Sequence, residues 1–115
     1  MPVVYTTLVQ TGIDIVSIDK FRNLTKADYE HWRHVFSESE WAYAWKDDLA
    51  PLHLSGIFAA KEALMKATDR AGLDHFRDFT IEHTPSGRPV VAEVPEYSIS
   101  ISHDAGVAVA VALTP

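Results

Sequence analysis

Apolar and polar positions fall into three regimes along this chain. Residues 3–18 are rich in β-branched and apolar side chains and predict one long strand, interrupted at Gly12. Two short helices follow. Thr25 caps the first, with Asp28 three residues on, and it runs to about His34. Ser37-Glu38-Ser39-Glu40 is a capping box for the second, which runs through Trp45. Pro51 sits at a helix start, and residues 52–71 carry the longest helical pattern. Its stripe is Ile57, Ala60, Leu64, Ala67 and Ala71, and Gly72 is the expected stop.

The last third changes period. Phe79, Ile81 and His83 alternate with other positions, Thr84-Pro85-Ser86-Gly87 reads as a turn, and Arg88 to Val94 returns as a strand. Pro95-Glu96 turns again, and Ser98 to Ser102 alternates strictly. Asp104-Ala105-Gly106 leads into Val107–Leu113, apolar at nearly every position and so expected to be covered on both faces. A strand, then helices, then an antiparallel three-strand set predicts an α+β fold, and residues 1–115 are expected to form one domain.

Composition narrows the function classes. The 115 residues are 47% hydrophobic, enough for one core. Without cysteine, disulfides and thiolate metal sites are excluded, and a reducing cytoplasm fits. No apolar run is long enough for a transmembrane helix, and the N-terminus lacks the features of a signal peptide, so neither membrane nor export is expected. Ten Lys and Arg against sixteen Asp and Glu give a net charge of −6, which argues against general nucleic-acid binding. The cations are unevenly placed: Lys20, Arg22, Lys26 and Arg33 cluster early in the chain.

Three places could carry chemistry. Asp14 lies inside an apolar strand, where a carboxylate is costly unless it is hydrogen-bonded, ion-paired or bound to a cation. Those alternatives stay open from the residues alone. Gly12, two positions earlier on the same face, leaves room for something to approach the backbone. Glu62 and Lys66 are one helical turn apart, either as an ordinary surface pair or as a charged column facing a cleft. Ser102, His103 and the Asp104-Ala105-Gly106 turn could meet an anion, or simply close a strand. The other five histidines look structural or exposed, and His31 and His34 lack the further ligands of a zinc site.

Gly12 to Val16, Phe58 to Ala67 and Ser100 to Gly106, in that order, resemble the motifs of holo-acyl-carrier-protein synthases. These are the small, single-domain branch of the 4′-phosphopantetheinyl transferases. Phe36 to Glu40 and Gly87-Arg88-Pro89 are weaker echoes. The resemblance implies that family's fold, with one long helix packed on a mainly antiparallel sheet. It also implies transfer of phosphopantetheine from coenzyme A to a serine of an acyl or peptidyl carrier protein, releasing 3′,5′-ADP.

By the same resemblance, Asp14 and Glu62 are ligands of a magnesium ion, with Glu62 and Lys66 catalytic. Lys61 and Lys66 would neutralise phosphate charge, and His103 would touch a coenzyme A phosphate. Lys20, Arg22 and Lys26 would dock an acidic carrier protein. Val16 stands where the larger two-domain branch has a third acid, and the small branch commonly forms trimers with coenzyme A between subunits. Ile57 and Ser17 replace an arginine and a glutamate common in the family, Lys20 replaces an arginine, and an extra helix between Val94 and Ser98 is absent. The departures, Ile57 above all, leave one rival expectation, a catalytically weak interaction module of the same fold; a metal-dependent phosphohydrolase using the same Asp14–Glu62 pair with water as acceptor is a second.

Overall fold

The computed structural model describes residues 8–115. Strand β1 (Gln10–Ser17) leads into a 3-10 turn, Ile18–Phe21, and a second one, Lys26–Asp28. Helices α1 (Tyr29–Trp32), α2 (Glu38–Ala44) and α3 (Ala50–Ala67) follow. After a further 3-10 turn, Leu73–Asp78, come strands β2 (Ile81–His83), β3 (Pro89–Val91), β4 (Ser98–Asp104) and β5 (Val107–Thr114). The main sheet has the order β1-β5-β4, antiparallel throughout, and β2 and β3 form a separate hairpin. The fold is therefore α+β, as expected, but the three-stranded set takes its third member from the start of the chain. Residues 3–7 of the predicted first strand lie outside the described residues.

Both caps form where the sequence placed them. The Thr25 amide donates to the Asp28 carboxylate at 2.7 Å, although the segment it opens is a 3-10 turn and one turn of α1 rather than a helix to His34. Ser37 Oγ accepts from the Glu40 amide, and Glu40 returns the bond to the Ser37 amide at 2.8 Å. Helix α3 stops at Ala67, earlier than predicted. Asp69 takes the left-handed conformation at φ 57°, the Arg70 amide bonds back to the Met65 carbonyl, and Gly72 opens the next 3-10 turn instead. The strand expected over Arg88 to Val94 is shorter because the Glu93 carboxylate turns back to accept from the Thr80 amide at 2.6 Å.

Helix α3 lies across one face of the main sheet, and small residues set its depth. Ala108, Ala110 and Ala112 of β5 and Ala59, Ala60, Ala63 and Ala67 of α3 are all buried. Gly12 shows what approaches its backbone: a Cβ built there would lie 1.9 Å from the Ala63 carbonyl oxygen, so the neighbour is the helix and not a ligand. Backbone atoms cannot swing aside. Gly12→Ala is expected to lose stability at or beyond the top of the roughly 1–3 kcal/mol range for overpacking, read by urea denaturation.

The opposite face of the sheet corrects a second expectation. Alternation turns Ile13 and Ile15 of β1 and Leu113 of β5 away from α3, where they are 63%, 65% and 41% exposed. Strand β5 is apolar on both sides but covered by the described residues on only one. Beyond α3, an aromatic group of Phe21, Trp32, Phe36, Trp41, Phe58 and Phe76 completes the core. Among the described residues, no helix is long and apolar enough to cross a membrane.

Candidate active site

Asp14 points toward α3, in register with the buried Ala110, and its side chain is 10% exposed. One oxygen is partnered: Lys66 Nζ donates to Asp14 Oδ1 at 3.1 Å and to the Ile13 carbonyl at 2.9 Å. The other, Oδ2, is buried with no hydrogen-bond partner among the described residues. A buried carboxylate oxygen without a donor is costly, and a cation would satisfy it.

Glu62 supplies the second carboxylate from the face of α3 opposite Asp14. Burial, and then the negative charge of Asp14 beside it, push the Glu62 carboxyl above its ordinary range, while Lys20 and Lys66 act in the other direction. The pair is thus held short of enough positive charge. Two carboxylates with an orphaned oxygen suit a hard divalent cation, which takes oxygen donors and keeps positions open for water and phosphate. Lys66 is 56% exposed on the side chain.

Lys20 lies nearer to this site than a distant docking surface would place it. Its Nζ sits 4.1 Å from the centroid of the Phe58 ring, and its charge acts on Glu62. Arg22 pairs with Asp19 on the surface, and Lys26 is exposed. Asp14, Glu62, Lys66 and Lys20 are therefore brought together from β1, the following turn and α3.

Lys61 does not join them, and its expected contact with phosphate is withdrawn. The side chain has no exposed surface. Its ammonium bonds to Glu40 Oε1 at 2.6 Å and to the carbonyls of Val35 at 2.7 Å and Phe76 at 3.0 Å, which uses all three protons. Burial pushes its pKa down, against the pull of Glu40. Glu40 is equally occupied, accepting from the amides of Ser37 and, at 2.7 Å, Ile81. The sequence marked Glu40 as a helix cap but could not show its partner 21 residues away.

Ser102 and His103 do not grip one ligand side by side. Strand alternation puts His103 toward α3 and Ser102 on the outer face. His103 Nε2 donates to the Leu52 carbonyl at 2.9 Å, and it packs on Gly56, where a Cβ would come within 3.0 Å of the ring. Ile57, beside it, is 1% exposed and belongs to the core. An arginine there would bury an unpaired charge, so Ile57 is no simple loss of a phosphate contact. His53 and His83, expected to be structural or exposed, instead line one cavity with His103.

Against known proteins, a family model described as the 4′-phosphopantetheinyl transferase superfamily matches residues 10–112. The holo-[acyl-carrier-protein] synthase of Caldicellulosiruptor bescii is 35% identical over 114 residues, covering 89% of this chain and 93% of that protein. The one from Campylobacter curvus is 39% identical over 115 residues, covering 89% and 96%. The crystal structure of Helicobacter pylori holo-[acyl-carrier-protein] synthase in complex with coenzyme A superposes with a TM-score of 0.75 at 30% identity, over 90% of this chain and 99% of that one. With two carboxylates and a lysine on the first strand and long helix of this shared fold, the chain belongs to the 4′-phosphopantetheinyl transferase superfamily and, within it, to the holo-[acyl-carrier-protein] synthases.

Proposed function

We propose that this protein transfers 4′-phosphopantetheine from coenzyme A to a serine of an acyl or peptidyl carrier protein, with magnesium, in the cytoplasm. The observation that carries this is the buried Asp14 Oδ2, which has no hydrogen-bond partner among the described residues, beside Glu62, whose carboxyl burial and the Asp14 charge push above its ordinary range. In the transfer, the serine oxygen forms a bond to the phosphorus bearing the pantetheine, the pyrophosphate P–O bond breaks, 3′,5′-ADP leaves, and the serine proton is released. Asp14 and Glu62 would hold the magnesium ion, which supplies charge neutralisation for the pyrophosphate. Lys66 trades its contact with Asp14 for the transferring phosphate, where charge builds up. Lys20 sits at the edge of this group, and with Arg22 and Lys26 it offers positive charge to an acidic carrier protein.

Three copies would complete the assembly. The uncovered apolar face of β1 and β5 reaches the site itself, since Ile13, Ile15 and Val109 line one depression with Asp14 and Lys66. A second copy on that face would wall the site. The chain's molar mass in solution, by light scattering, tests this: a trimer supports it and a monomer overturns it.

Mass spectrometry of apo carrier proteins incubated with coenzyme A and magnesium tests the reaction. A single phosphopantetheine added at serine supports the proposal, and free phosphopantetheine with unmodified protein overturns it. Lys66→Ala is expected to lower kcat by roughly a hundredfold while changing KM for coenzyme A much less, because the charge is needed in the transition state. An unchanged kcat with a raised KM would make Lys66 a ground-state contact only.

A further inference from the structure

A serine that accepts phosphopantetheine must reach Asp14 and Glu62, so the protein that carries it rests on the rim of that pair. One wall of the rim is residues 18–34, which hold two 3-10 turns and α1. Aromatic packing fixes the wall there. Phe58, one helical turn before Glu62, has its ring centroid 5.6 Å from that of Phe21, and Phe21 lies 5.2 Å from Trp32 of α1. The charged side chains of the wall face water: Asp19, Lys20, Arg22, Lys26, Glu30 and Arg33 are all exposed.

These charges are of both signs and partly spent on one another. Arg22 pairs with Asp19, and Arg33 Nη1 lies 3.4 Å from Glu30 Oε2. Asp28 turns its carboxylate onto the Thr25 amide. Among the described residues, neither Lys20 nor Lys26 is in an ion pair, and residues 1–7 contain no acid. Four cations and three acids leave the wall nearly balanced.

An exposed ion pair holds weakly, so Arg22 and Arg33 can turn to a partner. Their acids stay behind. A carboxylate brought against Asp19 or Glu30 is repelled, while an ammonium or guanidinium is attracted. A uniformly acidic surface therefore gains at Lys20 and Lys26 and loses at Asp19 and Glu30.

We propose that this wall is the docking surface for a carrier protein of mixed charge, whose acidic side chains meet Lys20 and Lys26 and which presents at least one basic side chain to Asp19 or Glu30. That the partner is a carrier rests on the transferase reading; the charge pattern required of it does not. Selection lies in the repulsion, because Asp19 and Glu30 disfavour a uniformly acidic carrier that the four cations alone would accept.

The experiment uses the whole protein and two apo carrier proteins, one uniformly acidic and one with lysine or arginine interspersed among the acids around its serine. Calorimetry measures binding, and transfer from coenzyme A is followed with magnesium, each at about 0.05 M and about 0.3 M salt. A single pH keeps the charge of the exposed His31 and His34 fixed. The mixed-charge carrier should bind about tenfold more tightly at low salt, with the difference in KM for the carrier rather than in kcat, and the gap should narrow at high salt. Asp19→Asn combined with Glu30→Gln should improve binding of the acidic carrier about fivefold or more and leave KM for coenzyme A unchanged. Exposed pairs contribute little to folding, so this variant keeps the fold. Equal or tighter binding of the acidic carrier by the wild type, or no gain in the double variant, would overturn the charge pattern and leave the transferase reading standing. Preferred binding of the mixed-charge carrier without transfer to its serine would remove the transferase reading and keep the docking surface. Binding of neither carrier would overturn the docking surface.

Discussion

Asp14→Asn and Glu62→Gln are each expected to lower transfer by roughly a thousandfold or more while leaving the fold intact. The change removes one negative charge from two neighbouring carboxylates, of which Glu62 is pushed above its ordinary range by burial and by Asp14, and it hardly alters shape. Stability gives an independent reading. Glu62 has its folded pKa raised, so its contribution is fully present below the unfolded carboxyl range and is lost as pH rises through the folded value. Glu62→Gln should therefore melt at or above the wild-type temperature at neutral pH. Magnesium should raise the melting temperature of the wild type, more at higher pH, and leave that of Asp14→Asn unchanged, because a ligand that binds only the native state stabilises it. Full activity of either variant at limiting magnesium would overturn the metal assignment.

Lys61→Met is expected to cost about 3–5 kcal/mol, a large share of the stability of a domain this size. The buried Glu40 carboxylate would lose its counter-charge, and the carbonyls of Val35 and Phe76 would lose their donor. The double variant with Glu40→Gln should lose less than the sum of the two single changes, since the unpaired buried charge is gone. Urea denaturation of the four proteins measures that coupling. A contact between Lys61 and phosphate predicts the reverse pattern: normal stability with weakened coenzyme A binding. That result would overturn the structural role.

Much of the fold was legible because its signals are local. A cap needs only residues three apart, and the Thr25–Asp28 and Ser37–Glu40 boxes form as read. The strict alternation of Ser98 to Ser102 and the tight turn at Ala105 and Gly106, both with positive φ, set the β4–β5 hairpin. The 3-4 spacing of Ile57, Ala60, Leu64 and Ala67 set the buried side of α3. Asp14 stood out because a carboxylate among apolar neighbours has an energetic cost that needs no structure to recognise.

What tertiary structure decided depends on residues far apart in the chain. Lys61 and Lys66 belong to one helical motif, yet their different rotations about α3 put one into a closed ion pair with Glu40 and the other on Asp14. No spacing rule shows that three histidines from a helix and two strands will share a cavity. Apolar residues on both sides of β5 state that both sides avoid water, but not whether the cover comes from the same chain. Helix α3 covers one side, and Ile13, Ile15 and Leu113 leave the other open, because burial is a property of the folded surface and not of the residue that carries it.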